Sequence, residues 1–314
     1  MLHTLKFTPV LERRIWGGQR LCDFGKKIFD NERVGESWEL SGMPDKESVV
    51  ANGLLADNTI NELLEVYMDE LAGGKVFQQY GKTFPLLFKL IDASSDLSVQ
   101  VHPNDEIARI KHNSFGKTEM WYIVDAAPEA KIVLGFNKKM NAAALRQSIE
   151  NNTLTQHLNY IPVKKGDAFY IPAGTIHAIG GGMLIAEIQQ ASNITYRLYD
   201  YGRLDENGNP RDLHIKDALE AIDYESDFPT KIIPDGEKLI RSEFFNVNKI
   251  LFSGHLERDY CKLDSFVVLM CVAGKAKIGK LDFAKGETVL VPASMKKILL
   301  QADSETEVLD TWIG

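Results

Sequence analysis

The chain has 314 residues, room for about two domains of ordinary size. Hydrophobic residues make up 44% and charged residues 25%, enough for a sizeable core and against wholesale disorder. The formal charge of −8 argues against a chain-wide basic footprint for nucleic acid, and three cysteines with no CxxC argue against a disulfide scaffold or a cysteine zinc site.

The opening residues, MLHTLKFTPVLERRIW, lack a continuous apolar run, so no signal peptide is expected. A helix is predicted over 58–72. There Ile60, Leu63, Leu64, Tyr67, Met68 and Leu71 recur at helical spacing, with Asp57 or Asn58 to cap the start and Gly73-Gly74 to end it. Shorter helices fit 104–111, 141–150 and 215–222. Most of the remaining chain reads as short strands bounded by Gly, Pro or Asp: KIVLGF (131–136), DAFYIP (167–172), MLIAEIQ (183–189), FVVLMCV (266–272) and TVLVPA (288–293). The run FVVLMCVAG (266–274) is half the length of a membrane helix, so no membrane span and a cytoplasmic setting are expected.

A repeat organises these strands. KKGDAFYIPA (164–173) returns as AKGETVLVPA (284–293), which aligns Gly166 with Gly286 and Pro172 with Pro292. MWYIVDAAPEAKI (120–132) matches VVLMCVAGKAKI (267–278) more loosely at a spacing near 146, the helical insert around 138–158 being absent from the second copy. A repeated strand–turn–strand unit of this kind suggests two small β-barrels. Their join is expected in the stretch 226–240.

Only the first copy carries metal-binding residue types. Strand alternation puts Ser98, Gln100 and His102 on one face, and Lys117, Glu119, Trp121 and Ile123 on another. His177 follows the Pro-Ala-Gly corner. Two histidines, a glutamate and a weaker glutamine suit a divalent metal. A lone histidine at a strand end is more often structural than ligating. Here the repeat shifts the balance, because the second copy keeps the corner and drops the ligands: His177 becomes Lys297, and at the looser spacing Glu119 becomes Ser265. Lys89 stands in an apolar run, FPLLFKLI (84–91), where a lysine either snorkels or serves a site. Ile185, Glu187 and Gln189 share a face, as do Thr195, Arg197 and Tyr199, with Arg203 beyond. An arginine there suits a phosphate or a developing oxyanion; equally it pairs with Asp200 or Asp205 at the surface. Gly180-Gly181-Gly182 reads as a hairpin turn, since no phosphate-loop motif is present.

Together these blocks resemble the type I mannose-6-phosphate isomerases of the cupin superfamily, in their short bacterial form. The blocks are WGG (16–18), GESWELS (35–41), FPLLFKLIDASSDLSVQVHPND (84–105), GKTEMWYI (116–123), IPAGTIHAIGGG (171–182) and EIQQASNITYRLYDYGR (187–203). The resemblance implies a mainly β chain of two cupin-type jelly-roll barrels with a few short helices. The catalytic barrel would span 1–230 and a degenerate second barrel 231–314. It implies an enzyme that interconverts mannose 6-phosphate and fructose 6-phosphate through a cis-enediol, with one Zn2+ per chain, other divalent metals being allowed. Position by position, the metal ligands would be His102, Glu119 and His177, with Gln100 as the fourth. Arg197, Lys117 and Glu187 would be catalytic, and Lys89, Ser98 and Arg203 would hold the phosphate end. Two departures stand out: Arg203 where longer relatives have lysine, and Ile179 where they have tyrosine. The partner is a small sugar phosphate. Competing readings are another metal-dependent cupin enzyme, such as a dioxygenase, and a non-catalytic sugar-binding cupin.

Overall fold

The computed structural model describes residues 2–29, 32–205, 208–225 and 231–314. In chain order its strands are β1 (Leu5–Thr8), β2 (Val10–Gly18), β3 (Val34–Ser41), β4 (Val49–Val50), β5 (Leu86–Ala93), β6 (Val99–Val101), β7 (Glu119–Ala126), β8 (Lys131–Phe136), β9 (Leu158–Pro162) and β10 (Ala168–Ile171). They continue as β11 (His177–Ile179), β12 (Met183–Gln190), β13 (Tyr196–Tyr199), β14 (Lys238–Arg241), β15 (Asn246–Asp259), β16 (Val267–Ala273), β17 (Lys275–Ile278), β18 (Leu281–Ala284), β19 (Thr288–Val291) and β20 (Lys297–Trp312). The helices are α1 (Ile60–Ala72), α2 (Gly74–Tyr80), α3 (Asp105–His112), α4 (Ala142–Glu150) and α5 (Ile215–Ala221). The chain is mainly β with few short helices, as the strand pattern predicts.

Three sheets carry it. One six-stranded sheet runs β10-β7-β12-β5-β3-β2, and a five-stranded sheet runs β13-β6-β11-β8-β9. These two face each other around an apolar core of Trp16, Ile91, Trp121, Ile123, Phe169 and Ile185, forming the first barrel. The third sheet, of nine strands, follows β4-β1-β19-β16-β20-β15-β14, with β17 and β18 attached. It curls around a second core that includes Leu269, Phe283, Val289 and Leu300. Alternation explains how the barrels join. Trp121 and Ile123 point into the first barrel, while Met120 and Tyr122 point outward into a large shared core with Val268, Leu290 and Leu309. Strands covered on both faces read as continuous apolar runs, which is why β16 is so hydrophobic.

Several local expectations are refined. The helix at 60–72 is capped by Thr59, not Asp57 or Asn58: Thr59 accepts from the Glu62 amide while Glu62 accepts from the Thr59 amide, a reciprocal capping box. Gly73 ends it and α2 follows at once. Asn104 and Asn141 cap α3 and α4 through their side chains. The strand β1, from the chain's beginning, pairs with β19 and so completes the C-terminal sheet. Residues 226–230 of the expected join lie outside the described residues. Gly180–Gly182 is no hairpin. It carries the chain from β11 in one sheet to β12 in the other. A Cβ on Gly180 would sit 2.3 Å from the Lys131 carbonyl oxygen, so only glycine lets the two backbones approach there.

Strand register also corrects the repeat. Phe169 pairs with Trp121, and Val289, 120 residues later, pairs with Leu269. The first unit therefore aligns with the second at a spacing of 148 in this strand, and Glu119 corresponds to Val267 rather than Ser265. The conclusion stands, since neither residue is a ligand.

Candidate active site

Two sheets aim their inward faces at one cavity of about 390 Å³. From the five-stranded sheet, Gln100 and Arg197 of the cross-strand row His177–Gln100–Arg197 supply one wall. From the six-stranded sheet, Glu187 and Lys89, flanked in their row by Trp121 and Trp38, supply the other. Lys117 and Glu119 enter at the start of β7.

His102, Glu119 and His177 form the one group of three candidate metal ligands found among the described residues, and all three are buried. Their ligand atoms lie within 4.8 Å of one another. Each imidazole is oriented by its Nδ1, which donates to a backbone carbonyl: Ile194 for His102 at 2.7 Å, Thr175 for His177 at 2.8 Å. That leaves both Nε2 atoms as lone-pair donors facing Glu119, at 3.6 and 3.4 Å from its carboxylate oxygens. Burial lowers both imidazoles, helped by the Lys117 charge, His102 well below the usual range and His177 to about 4. Neutral imidazoles are the ligating form. Burial pushes Glu119 up to about 7, with Glu187 adding to it and Lys117 opposing. Glu119 Oε1 and His177 Nε2 have no hydrogen-bond partner although both are buried. Unpartnered buried acceptors of this kind cost about 1–3 kcal/mol each, a deficit that a cation between them would remove. The donor set fits a divalent metal.

Lys117 lies beside this group. Its ammonium donates to Glu119 and sits 3.0 Å from His102 Nε2. Although burial acts against its charge, Glu119 and Glu187 more than offset that and raise its pKa. Glu187 is held from both sides: Trp121 Nε1 donates to Oε2 at 2.8 Å, and Lys89 Nζ stands 3.3 Å from Oε1. Burial acts to raise Glu187, but Lys117 and Lys89 prevail and keep it ionised. Lys89 therefore serves the cavity and does not snorkel.

At the other end, Arg197 Nε donates to Ser98 Oγ at 3.2 Å, and its Nη1 to the Asp212 carbonyl at 2.9 Å. Arg211 lines the same end, 3.3 Å from Asp200. Burial lowers the Arg197 pKa and the Arg211 charge adds to that, so two guanidinium groups face the same space. Ser98, Gln100 and Ile179 also line it. Arg203 does not: its guanidinium binds Asp200 and the Asp96 carbonyl, and it borders a separate groove with Arg13, Arg14 and Arg33. This is the surface pairing that the sequence left open. Arg211, which sequence reasoning missed, stands in the cavity instead. No spacing rule marks it, because it lies in a loop with no strand period. Arg14 and Glu36, also unassigned by sequence, complete the wall beside Lys89.

A family model described as phosphomannose isomerase type I, catalytic domain, matches residues 4–141. The chain is 39% identical to mannose-6-phosphate isomerase ManA of Bacillus subtilis (strain 168), over 96% of both chains. It superposes on the crystal structure of the mannose 6-phosphate isomerase from Bacillus subtilis with a TM-score of 0.86 and 32% identity, covering 98% of this chain and 99% of the other. It shares its fold with a mannose 6-phosphate isomerase solved with zinc and yttrium, at a TM-score of 0.77 and 16% identity, over 99% of each chain.

Proposed function

The chain belongs to the type I mannose-6-phosphate isomerases, and we propose how its own residues interconvert mannose 6-phosphate and fructose 6-phosphate. It is an aldose–ketose isomerase. The observation that carries the reading is the company this cavity keeps: Lys117 in its lining touches the candidate metal ligands His102 and Glu119, the ionised Glu187 lines the same space, and Arg197 and Arg211 face it as well.

His102, Glu119 and His177 would hold one zinc per chain, with Gln100 next to them on the shared wall. A metal held there would supply Lewis-acid polarisation of the sugar's oxygens. Arg197, Arg211 and Ser98 would take the phosphate through paired N–H and O–H donors, which fixes the reacting carbons at the opposite end. Glu187 would move the proton between C1 and C2. Its carboxylate is ionised, and Trp121 and Lys89 fix its orientation. General-base help of this kind is worth roughly 10²–10⁴-fold. Lys117 would place its ammonium where negative charge develops on the cis-enediolate. A dioxygenase has no use for Lys89, Lys117, Arg197 and Arg211 gathered round one cavity, so the isomerase reading is preferred. Among the described residues, no helix is long and apolar enough to cross a membrane. A cytoplasmic setting, where sugar phosphates are made and used, completes the reading.

The test is a coupled assay on mannose 6-phosphate before chelation, after chelation and after zinc is restored. Activity that falls and returns supports the metal-dependent reading. A folded, zinc-loaded protein without turnover refutes it.

A further inference from the structure

The second barrel has lost its metal ligands, yet its mouth is not apolar. A cavity of about 530 Å³ opens there, and Asp310, Asn248, Arg258, Tyr260 and Trp312 line it. Register shows where these groups come from. In the first barrel one row of paired residues runs Phe169–Trp121–Glu187–Lys89. In the second barrel the same row runs Val289–Leu269–Asp310–Asn248. The sequence repeat anchors Phe169 to Val289, so Asp310 occupies the position of Glu187 and Asn248 that of Lys89. An acid has been kept at the same place on the inner face, while Glu119 has become Val267 and His177 has become Lys297.

Asp310 is fully buried and only half satisfied. Its Oδ2 accepts from Tyr260 Oη at 3.1 Å and from Arg258 Nη2 at 3.2 Å. Its Oδ1 has no partner. Asn248 Oδ1 accepts from Arg241 at 2.7 Å, which leaves its amide N–H groups to the cavity. Arg241 in turn stacks over Trp312, 4.6 Å from the ring, and closes that side. Arg258 is already answered by Glu237 at 2.8 Å as well as by Asp310. Acids in the lining, Glu257, Asp259 and Asp310, outnumber the bases Arg258 and Lys262. The surplus of positive charge that a phosphate requires is absent. What remains is a free acceptor beside a free donor, and a hydroxyl group satisfies both at once.

We propose that the mouth of the second barrel is a binding site for a neutral polyhydroxylated ring, a sugar without a phosphate, held through Asp310 and Asn248. One hydroxyl donates to Asp310 Oδ1, and it or its neighbour accepts from the Asn248 amide. Two adjacent hydroxyls on a pyranose match that donor–acceptor pair, and the cavity has room for one ring. The site is separate from the isomerase cavity and shares no lining residue with it.

The test is saturation-transfer NMR on the full chain with methyl α-D-mannopyranoside, a locked acetal that carries no phosphate and cannot be isomerised. Transfer is expected with the unaltered protein. The affinity should fall at least tenfold in Asp310→Asn and again in Asn248→Leu, while kcat/KM for the isomerisation stays within about twofold of the unaltered enzyme. The isosteric Asp310→Asn change keeps the fold; should it melt early, Asn248→Leu decides alone. Absence of transfer from the unaltered protein overturns the proposal, as does an affinity unchanged in both variants. Binding of n-propylammonium in place of the glycoside, with the same dependence on Asp310, overturns the neutral-ligand assignment.

Discussion

Glu187 and Lys89 face each other directly across β12 and β5, with Oε1 and Nζ 3.3 Å apart and both side chains about 4% exposed. A carboxylate without hydration depends on its neighbours to stay ionised, and here the neighbours are two lysines and an indole. Removing one of them has a signed consequence. Lys89→Met should raise the Glu187 pKa, because a stabilising cation is lost. The acidic limb of the kcat/KM profile should move to higher pH, with activity recovered in part as the pH rises. Glu187→Gln should instead cost roughly 10²–10⁴-fold at every pH. A pH–rate profile of both variants separates the two effects, and a Lys89→Met limb that stays in place would refute the coupling.

His102→Ala should remove zinc and activity together while leaving a folded protein. Metal polarisation is worth several kcal/mol, so the loss should be at least about a hundredfold at ~1.36 kcal/mol per decade. Metal analysis beside the activity assay checks this. A variant that binds no zinc but keeps full activity would sink the metal assignment.

Arg211→Ala should act on binding more than on chemistry, since Arg211 lines the cavity and is proposed to hold the phosphate. A charge-assisted hydrogen bond is worth about 1.5–3 kcal/mol, which corresponds to a rise in KM of roughly ten- to a hundredfold. Arg203→Ala should change KM little, because Arg203 is engaged by Asp200 and the Asp96 carbonyl. Steady-state kinetics on mannose 6-phosphate decides between the two arginines, and the reverse ranking would mean that the phosphate sits elsewhere.

Two carboxyl groups should make stability depend on pH in opposite directions. Burial acts to raise Glu36, but Lys89 and Arg14 prevail and bring it from 4.5 to about 2. Its contribution is present above pH 4.5 and is lost as the pH falls toward 2. At ~1.36 kcal/mol per pKa unit it amounts to about 3 kcal/mol. Burial raises Asp310 from 3.8 to about 6, against the pull of Arg258. The folded state therefore binds the extra proton, and that contribution is present below pH 3.8 and lost as the pH rises through 6. Urea unfolding of Glu36→Gln between pH 5 and 2, and of Asp310→Asn between pH 4 and 7, should show each slope flattened. A slope identical to that of the unaltered protein would show that the group does not drive it.

Much of the site was legible in the sequence because strand alternation is a local rule. A period of two puts Ser98, Gln100 and His102 on one face and Glu119 with Trp121 on another, wherever the strands lie in the fold. The 120-residue repeat likewise identified two related units, since a tight corner demands the same Gly and Pro in both copies. Helix positions were readable for the same reason, but the cap was not: Thr59, and not Asp57 or Asn58, closes the first turn of α1. Each of these signals is carried by residues a few positions apart.

The remainder depended on contacts between residues distant in the chain. That Gly180–Gly182 changes sheets, that β1 completes the C-terminal sheet, and that Arg211 rather than Arg203 reaches the cavity are consequences of strand pairing and loop path. The likeness of Asp310 to Glu187 is of the same kind. The strands of the two barrels are joined by loops of different length, so their equivalence is hidden at any single sequence spacing and appears only in the hydrogen-bonded register. The sequence by itself determined which side chains share a face; only barrel closure decided which faces meet, because that choice is set by the burial of whole sheets and not by any local run of residues.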